Sequence, residues 1–227
     1  MRVLTWNIYR GTIPYYTING QAAATPDERL NIIMDIAVQN NVDVVVLQEL
    51  PFGFVVNPPH GWNAATIEEH PSMQYACSSF NTTYAFIWNA ATVQSYGNIQ
   101  YFNPETFVLP TGCLLRAPVF IEVTHNQTNY QLFNWHNETG NWGDSGLEIL
   151  SQQQFYANTV IGADFNANYQ HVDWYFNNQW VDVTGVNGTI DGVDHILTNV
   201  LQTNPVLGNE LDFTSDAYHW PVAADIA

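Results

Sequence analysis

RVLTWNI at residues 2–8 and DVVVL at residues 43–47 are short, β-branched apolar runs of the kind that form buried strands. Between them, Thr25, Pro26 and Glu28 have the spacing of a helix start, with Thr as the N-cap. Apolar residues then repeat at helical spacing. Strand, helix and strand in this order predict a right-handed crossover that joins two parallel strands.

The rest of the chain is rich in short apolar or alternating runs separated by Asn, Gly and Pro. A capping box at Ser145 and Glu148 predicts a second helix that runs to about residue 156, and residues 170–176 predict a short third helix. No linker or repeat divides the sequence, so we expect one domain over residues 1–227, of the α/β (α+β) class, with two packed sheets. Further strands are expected at residues 84–88, 99–102, 114–124, 130–135, 159–165, 181–184, 193–197 and 221–226.

The chain is strongly acidic, with 21 Asp and Glu residues, four basic residues and a formal net charge of −17 at pH 7. All four bases are arginines (Arg2, Arg10, Arg29 and Arg116), and there is no lysine. This composition excludes nucleic-acid binding through a broad basic patch, because such patches neutralise phosphates with Lys and Arg. It leaves room for an enzyme that acts on phosphate esters with the positive charge of a bound metal ion.

Polar side chains lie at the ends of five separate predicted strands, where one rim of the molecule can collect them. Taken singly, each is an ordinary loop, turn or rim residue. Together, carboxylates and asparagines suit a hard, oxygen-liganded ion such as Mg²⁺, and histidines outside zinc-type spacing suit acid–base chemistry. The residues are Asn7, Glu49, His136, Asp164, Asn166, Asp194 and His219.

This set resembles the endonuclease/exonuclease/phosphatase superfamily, the DNase I-like phosphoesterases. Each motif alone is weak, but the motifs follow the family's order over nearly the whole chain. The resemblance is nearest to DNase I-type nucleases and to the catalytic B subunit of cytolethal distending toxins, and it implies a DNase I-like two-sheet β-sandwich flanked by helices. The matching segments are residues 5–8 (TWNI), 46–49 (VLQE), 116–118 (RAP), 134–136 (NWH), 162–166 (GADFN), 193–196 (VDHI), 215–216 (SD) and 219–222 (HWPV).

The resemblance implies a divalent metal site, usually for Mg²⁺, with Mn²⁺ or Ca²⁺ as alternatives. Glu49 matches the main metal carboxylate, Asn7 its neighbour and Asp216 a further ligand. In the family pattern the last Asp and His are adjacent, whereas two residues separate Asp216 from His219 here. Asp216 therefore reaches the site only if a local bulge restores its position.

The resemblance also implies the catalytic residues. Asp164 and Asn166 would orient or activate the attacking water and bind the phosphate. His136 would hydrogen-bond a phosphate oxygen or protonate the leaving oxygen, and Asp194 would hold His219 in its productive tautomer.

The substrate phosphate would be held by Arg116 together with Asn166, His136 and His219. A second departure from the family lies at Thr82 and Thr83, where DNase I-type enzymes place a Glu that partners the first histidine. From this we expect His136 to lack a carboxylate partner and to have a lowered pKa.

The expected function is Mg²⁺-dependent hydrolysis of DNA phosphodiesters with little sequence preference, because few cations are available to grip the backbone. The runner-up is a phosphatase or a sphingomyelinase-type phospholipid phosphodiesterase. It would need an exposed apolar hairpin, for which residues 51–56 (PFGFVV) are the candidate, although a packed loop is an equal reading. The third alternative is a catalytically impaired binding module.

No apolar run reaches the roughly 20 residues that span a membrane, so no membrane insertion is expected. No signal peptide is visible at the start of the sequence. The absence of lysine fits a toxin effector that avoids ubiquitination, so a secreted or delivered protein is weakly favoured, with any partner or delivery subunit unseen in the sequence. Cys77 and Cys113 could pair, and free thiols are an equal alternative.

Overall fold

The computed structural model describes residues 1–8, 17–18, 21–22, 25–78, 81–176, 180–183, 192–200, 203–206, 219 and 221–227. Its helices are α1 (Pro26–Gln39), α2 (Gly140–Ser151) and α3 (Tyr169–Phe176). Its strands are β1 (Arg2–Asn7), β2 (Thr17–Ile18), β3 (Gln21–Ala22), β4 (Val44–Leu50), β5 (Trp62–Glu68), β6 (Thr83–Asn89), β7 (Val93–Ser95), β8 (Gln100–Tyr101), β9 (Val119–His125), β10 (Thr128–His136), β11 (Thr159–Asp164), β12 (Val181–Asp182), β13 (Asp194–Thr198), β14 (Thr203–Val206) and β15 (Val222–Ile226).

Most strands form two mixed sheets. The first has the order β14-β15-β1-β4-β6-β5, and the second has the order β12-β13-β11-β10-β9-β7, with β8 also paired to β9. β1 is parallel to β4, as the strand–helix–strand pattern predicts, and β10 is parallel to β11. The predicted two-sheet sandwich flanked by helices is therefore confirmed.

Three apolar clusters hold the layers together. The inner faces of the two sheets meet through residues such as Val46 of β4 and Leu132 of β10. α1 packs its buried face, which includes Ile33, on the outer face of the first sheet. α2 and α3 cover part of the outer face of the second sheet, where Leu147 and Val172 are buried. Burial on both faces explains why β1, β4 and β11 are almost continuously apolar.

Helix α1 begins where the sequence predicts. Thr25 accepts a hydrogen bond from the backbone of Glu28, and the Glu28 side chain accepts one from the backbone of Thr25, which completes the capping box. Pro26 occupies the first turn, where its missing N–H costs nothing. The helix ends before Asn40.

Helix α2 begins earlier than predicted, since it starts at Gly140 and not near Ser145. The Ser145 hydroxyl donates to the carbonyl of Asn141 one turn back, so this residue lies inside the helix. A Cβ on Gly146 would clash with the Asn137 side chain, so glycine allows the helix to pack tightly on the segment that follows β10. The helix thereby supports the chain just beyond His136.

The strand predictions also need correction. β5 is not predicted from the sequence, because its residues are only half-buried and lack a continuous apolar run. The strand expected from residue 114 begins only at Val119, after Pro118, which cannot donate to a β-ladder. Of the strand predicted at residues 181–184, Thr184 lies outside the described residues.

The two sheets come unusually close at Gly162 of β11. A Cβ at this position would lie 3.0 Å from the Cβ of Thr5 in β1 and 3.5 Å from the Cβ of Val46 in β4. The missing side chain therefore lets β11 of the second sheet approach β1 and β4 of the first, two residues before Asp164.

None of the helices in the described ranges is long and apolar enough to cross a bilayer.

Candidate active site

The ends of several strands converge at one end of the sandwich. Asn7 ends β1, His136 ends β10, Asp164 ends β11 and Asp194 begins β13. His136 and Asp164 are register partners across the β10–β11 pair, and Asp164 and Asp194 are partners across the β11–β13 pair. The sheet pairing alone therefore brings three of the predicted site residues into one row.

Glu49 enters the site through an irregularity in β4. The pairing of β4 with β6 shifts register between Leu47 and Leu50, and Glu49 has a positive φ of 57°. A bulge of this kind turns one side chain out of the regular alternation. The backbone N–H of Glu49 donates to the Glu69 carboxylate over 3.1 Å, which compensates in part for an unfavourable backbone conformation.

Asn7 connects the two sheets at this point. Its side-chain amide lies 2.8 Å from Asp164 Oδ2 and 3.2 Å from Glu49 Oε1, and it donates to both carboxylates. The Nε2 atom of His136 lies 3.4 Å from Glu49 Oε1 and 3.7 Å from Asp164 Oδ2. Asn7, Glu49, His136 and Asp164 thus form one cluster, as the sequence predicts.

The residues present fit a hard divalent cation. One ligand atom from each of Asp164, Asp194 and His219 lies within 4.8 Å of the other two. The two carboxylates of this group are the candidates for binding a cation, and Asp194 Oδ1 is buried without a hydrogen-bond partner. A buried unpartnered carboxylate oxygen is costly unless a cation or water satisfies it. With the Glu49 carboxylate nearby, the donor set is mainly oxygen, which suits Mg²⁺. Asp216, the third predicted ligand, lies outside the described residues.

His219 and Asp194 form a buried pair. The Nδ1 atom of His219 lies 2.9 Å from Asp194 Oδ2 and 3.8 Å from Asp164 Oδ2, and the Trp6 indole donates to the His219 carbonyl. Burial lowers the pKa of His219, but the hydrogen bond to Asp194 and the negative charges of Asp194, Asp164 and Glu49 together raise it to about 9. The histidine is therefore held protonated at neutral pH, with Nδ1 donating to Asp194.

His136 has a carboxylate partner, so the prediction that it lacks one is wrong. Its Nδ1 atom lies 3.1 Å from Oε2 of Glu69, a fully buried residue just after β5. Burial and Arg116 lower the pKa of His136, but Glu69 reverses this and the net shift is upward. The expected lowering of the His136 pKa is therefore also wrong.

Glu69 is the centre of a larger buried network. Its Oε2 atom also lies 2.9 Å from Nε of Arg116. Burial raises the pKa of Glu69, but His136 and Arg116 together lower it to about 2, so the carboxylate stays ionised. Tyr84 belongs to the same network, since its hydroxyl accepts a hydrogen bond from the backbone N–H of His136.

Arg116 is placed differently from what the sequence suggests. Its guanidinium is buried between two carboxylates, 2.9 Å from Glu69 and 2.9 Å from Glu138. Burial lowers its pKa, and the two carboxylates raise it overall. Phosphate binding by Arg116 stays a prediction, and the structure gives this side chain a supporting position behind His136.

Comparisons with known proteins agree with this architecture. No family model and no curated protein matches the chain. Among solved structures, D. rerio TDP2 complexed with single strand DNA product has a TM-score of 0.64 at 13% identity, over 99% of this chain and 97% of that chain. An endonuclease/exonuclease/phosphatase family protein from Leptotrichia buccalis C-1013-b has a TM-score of 0.59 at 14% identity, over 100% and 99%. The endonuclease domain of TRAS1, a telomere-specific non-LTR retrotransposon, has a TM-score of 0.60 at 12% identity, over 99% and 97%.

The chain has the endonuclease/exonuclease/phosphatase fold. The predicted resemblance is thereby confirmed for the fold. Within this fold, several strand ends meet at one end of the sandwich, as the motif order predicts. They carry Asn7, Glu49, His136, Asp164 and Asp194.

Asn166 lies in the tight turn that follows β11. It has a positive φ of 50°, its backbone N–H donates to Asp164 Oδ1, and its side-chain amide donates to the Asn137 carbonyl. These contacts fix the direction of the Asp164 carboxylate. Phosphate binding by Asn166 stays a prediction, since the nitrogen of its side chain is already engaged in the turn.

Another buried histidine, His195, supports the same turn. His195 Nδ1 lies 2.9 Å from Asp182, and its Nε2 lies 3.0 Å from the carbonyl of Ala167. Burial lowers the pKa of His195, but Asp182, the Ala167 carbonyl and Asp194 together raise it overall. A protonated ring donates from both nitrogens, so this pair anchors the turn that carries Asp164 and Asn166.

Sequence reasoning misses Glu69, Tyr84 and Glu138. Glu69 follows a strand that the sequence does not predict, and beside Glu68 it resembles a solvated charge pair. The run Trp62–Glu68 has no clean alternation of apolar and polar residues, so no local pattern marks Glu69.

Proposed function

We propose that this chain is a divalent-metal-dependent phosphodiesterase that hydrolyses DNA with little sequence preference. The observation that carries the proposal is the convergence of Glu49, Asn7 and Asp164 with the Asp194–His219 pair at one end of the sandwich. Phosphoryl transfer depends on positioning and charge neutralisation more than on covalent chemistry by the protein. This cluster is equipped for both tasks.

Each residue has a role that its contacts support. A divalent ion bound at Glu49 and its neighbours would neutralise charge on the phosphate. Asp164, oriented by Asn7 and by the Asn166 backbone, would accept a hydrogen bond from the attacking water. His219, protonated and held by Asp194, would donate Nε2–H to a phosphate oxygen.

His136 is the candidate acid for the leaving oxygen. Glu69 holds its Nδ1, which leaves Nε2 facing Glu49 and Asp164. The raised pKa favours the protonated ring, which is the form that can give up a proton.

The charges favour a weakly gripped substrate. Arg2 is bound to Asp225, Arg29 donates to the buried carbonyl of Ile8, and Arg116 is bound to two carboxylates. Arg10 lies outside the described residues. Few cations are thus left to bind a DNA backbone, which supports low sequence preference and rapid release. Solved structures with this fold, TDP2 with its DNA product and the TRAS1 endonuclease domain, support a nucleic-acid substrate.

A lipid phosphodiester is the second candidate, and one observation favours it. Phe52 and Val55, in the loop directly after β4 and Glu49, are 67% and 71% exposed. Val56 in the same loop is buried, so residues 51–56 are partly packed and partly exposed. An exposed apolar pair beside a phosphoesterase site could enter a membrane surface.

The protein is further proposed to work in an oxidising compartment, as a secreted protein or a delivered effector. Cys77 and Cys113, whose pairing the sequence leaves open, form a disulfide with a Cα–Cα distance of 5.1 Å. Disulfides persist mainly outside the cytosol. The bond also ties the segment before Arg116 to the region after β5.

The decisive experiment compares three substrates. The purified protein is incubated with supercoiled plasmid, sphingomyelin vesicles and a phosphomonoester, with Mg²⁺, Mn²⁺ or Ca²⁺ and after chelation. We expect metal-dependent plasmid nicking that is lost in Glu49→Ala and His219→Ala. Glu105→Ala, which removes an exposed carboxylate outside the cluster, is the matched control and should retain activity.

Other outcomes contradict the proposal in distinct ways. Turnover of sphingomyelin alone would establish the second candidate, and Phe52→Ser with Val55→Ser should then abolish it. Turnover of the phosphomonoester alone would indicate a phosphatase. No turnover of any substrate with any metal would indicate a binding module.

A further inference from the structure

A cavity of about 400 Å³ lies on the outer face of the second sheet, away from the candidate active site. Its floor is formed by β7, β9 and β10, and its rim by the loops after β7 and after α2. Gln131 on its floor and His136 in the active site are five residues apart on β10, which places them about 17 Å apart along the strand. The volume is within the range of small-molecule sites. We call this cavity the outer groove.

Two exposed tyrosines form the rim of the outer groove. Tyr96 is 97% exposed and Tyr156 is 72% exposed. The backbone carbonyl of Tyr156 accepts hydrogen bonds from Thr159 and Asn199, so the loop that presents its ring is held in place. Two nearly bare aromatic rings beside one cavity offer flat faces on which a ligand can stack.

The floor of the outer groove is made of amides and hydroxyls. Alternate residues of the paired strands point outward here, so Glu122 lies opposite Gln131 and Thr124 lies opposite Asn129. The Oε1 atom of Gln131, a residue more than nine-tenths buried, has no hydrogen-bond partner. A buried acceptor without a donor is unfavourable, and rotation of the Gln131 amide towards the groove would let a ligand hydroxyl satisfy it.

The lining excludes several ligand classes. Among the ten residues that line the groove there is one carboxylate, Glu122, and no cation. In a chain of net charge −17, such a site disfavours phosphates, nucleotides and other anions. A purely apolar ligand is disfavoured too, because it would cover the amide floor without replacing its hydrogen bonds to water.

We infer that the outer groove binds a neutral saccharide. Each sugar hydroxyl both donates and accepts, which matches a floor of Gln, Asn and Thr side chains. The C–H faces of a sugar ring suit the electron-rich faces of Tyr96 and Tyr156. The inference is independent of the proposed nuclease activity, because the groove shares no residue with the catalytic cluster.

The test measures binding directly. The wild-type protein is applied to an array of neutral and anionic glycans, and binding is then quantified by saturation-transfer NMR with maltose, lactose, N,N′-diacetylchitobiose and the best neutral array ligand. We expect neutral glycans to bind. Tyr96→Ala and Tyr156→Ala should each weaken binding by about 3- to 10-fold, and Gln131→Leu should weaken it further by removing the acceptor.

Tyr75→Ala is the matched control, because Tyr75 is also an exposed tyrosine (57%) but does not line the groove. Both rim variants remove exposed side chains, so their thermal unfolding should match that of the wild type. The inference is overturned if no neutral glycan binds, if glucose 6-phosphate binds as well as the neutral sugars, or if the rim variants bind as tightly as the Tyr75 variant.

Discussion

The two buried histidine–carboxylate pairs of the site differ in the number of cations that each carboxylate meets. Asp194 contacts His219 and lies near the anionic Asp164, and burial raises its pKa to about 6. Glu69 contacts both His136 and Arg116, and although burial opposes them, its pKa falls to about 2. Two equally buried carboxylates are therefore shifted in opposite directions by their neighbours.

The comparison separates two tasks. The Asp194–His219 pair lies among the candidate metal ligands, and its unpartnered oxygen is left for a cation. Arg116 and Glu138 lie on the far side of the Glu69–His136 pair. The Glu69 carboxylate also accepts a hydrogen bond from the backbone N–H of Glu49, in the bulge of β4. We expect loss of Asp194 to affect mainly turnover, and loss of Glu69 to lower stability as well as to weaken the acid role proposed for His136.

The largest expected effect is on turnover. Asp194→Asn and His219→Ala should each lower kcat for plasmid nicking by about 10²- to 10⁴-fold, because the histidine is misoriented or missing. The free energy of unfolding should fall less in Asp194→Asn than in Glu69→Gln, because His219 can release its proton whereas Arg116 stays charged. A large loss of stability in Asp194→Asn with kcat intact would reverse the assignment of the two pairs.

The next effect is on stability. Glu69→Gln should lower the free energy of unfolding by about 3 kcal/mol, because Arg116 loses one of its two buried counter-charges. Chemical denaturation of the variant checks this. Glu138→Gln is the matched control, because Glu138 is the other partner of Arg116. Burial raises the pKa of Glu138, so its loss should lower the free energy of unfolding by less. Equal losses in the two variants would mean that Glu69 has no special place in the network.

The pH dependence of stability should sharpen the contrast. The pKa of Glu69 is about 2 in the folded protein and 4.5 in an unfolded chain, so its stabilisation is complete above about pH 5 and is lost as pH falls towards 2. The stability deficit of Glu69→Gln relative to the wild type should therefore shrink over that range. Asp194 has a raised pKa, so Asp194→Asn should show no such shrinking deficit. Denaturation curves measured from pH 7 to pH 3 decide between these patterns.

The smallest effect is expected at a similar ion pair on the surface. Arg2 and Asp225 are 2.8 Å apart, close to the 2.9 Å between Arg116 and Glu69, but their side chains are 29% and 44% exposed. Asp225→Asn should lower the free energy of unfolding by only about 0.2–1 kcal/mol, and less at high salt. A cost equal to that of Glu69→Gln would show that burial is not what distinguishes the two guanidinium–carboxylate pairs.

The sequence predicts best where local chemistry and burial agree. β1, α1 and β4 follow from two apolar runs and one capping box, and all three form as expected. The same reasoning places α2 too late, because a Ser-x-x-Glu spacing inside a helix is indistinguishable from one at its start. Packing of the glycine-containing first turns against residues 137–138 decides the true start.

The site is predicted in part for a similar reason. Asn7, Glu49, His136, Asp164 and Asp194 stand at the ends of recognisable strands, and the structure brings them together. Glu69 is not predicted because the strand before it, β5, is only half-buried. The pairing of Arg116 with Glu69 and Glu138 escapes because it joins three distant segments, and no local pattern encodes which charges will meet.

The close approach of the sheets at Gly162 fixes the geometry of the candidate active site. Any side chain there would press on Thr5 and wedge β11 away from β1. The Asn7–Asp164 hydrogen bond spans the same gap two residues further along each strand. The distance between the two sheets therefore sets the distance between Asn7 and Asp164. A substitution of Gly162 should disturb the geometry of the candidate site before it lowers the stability of the fold.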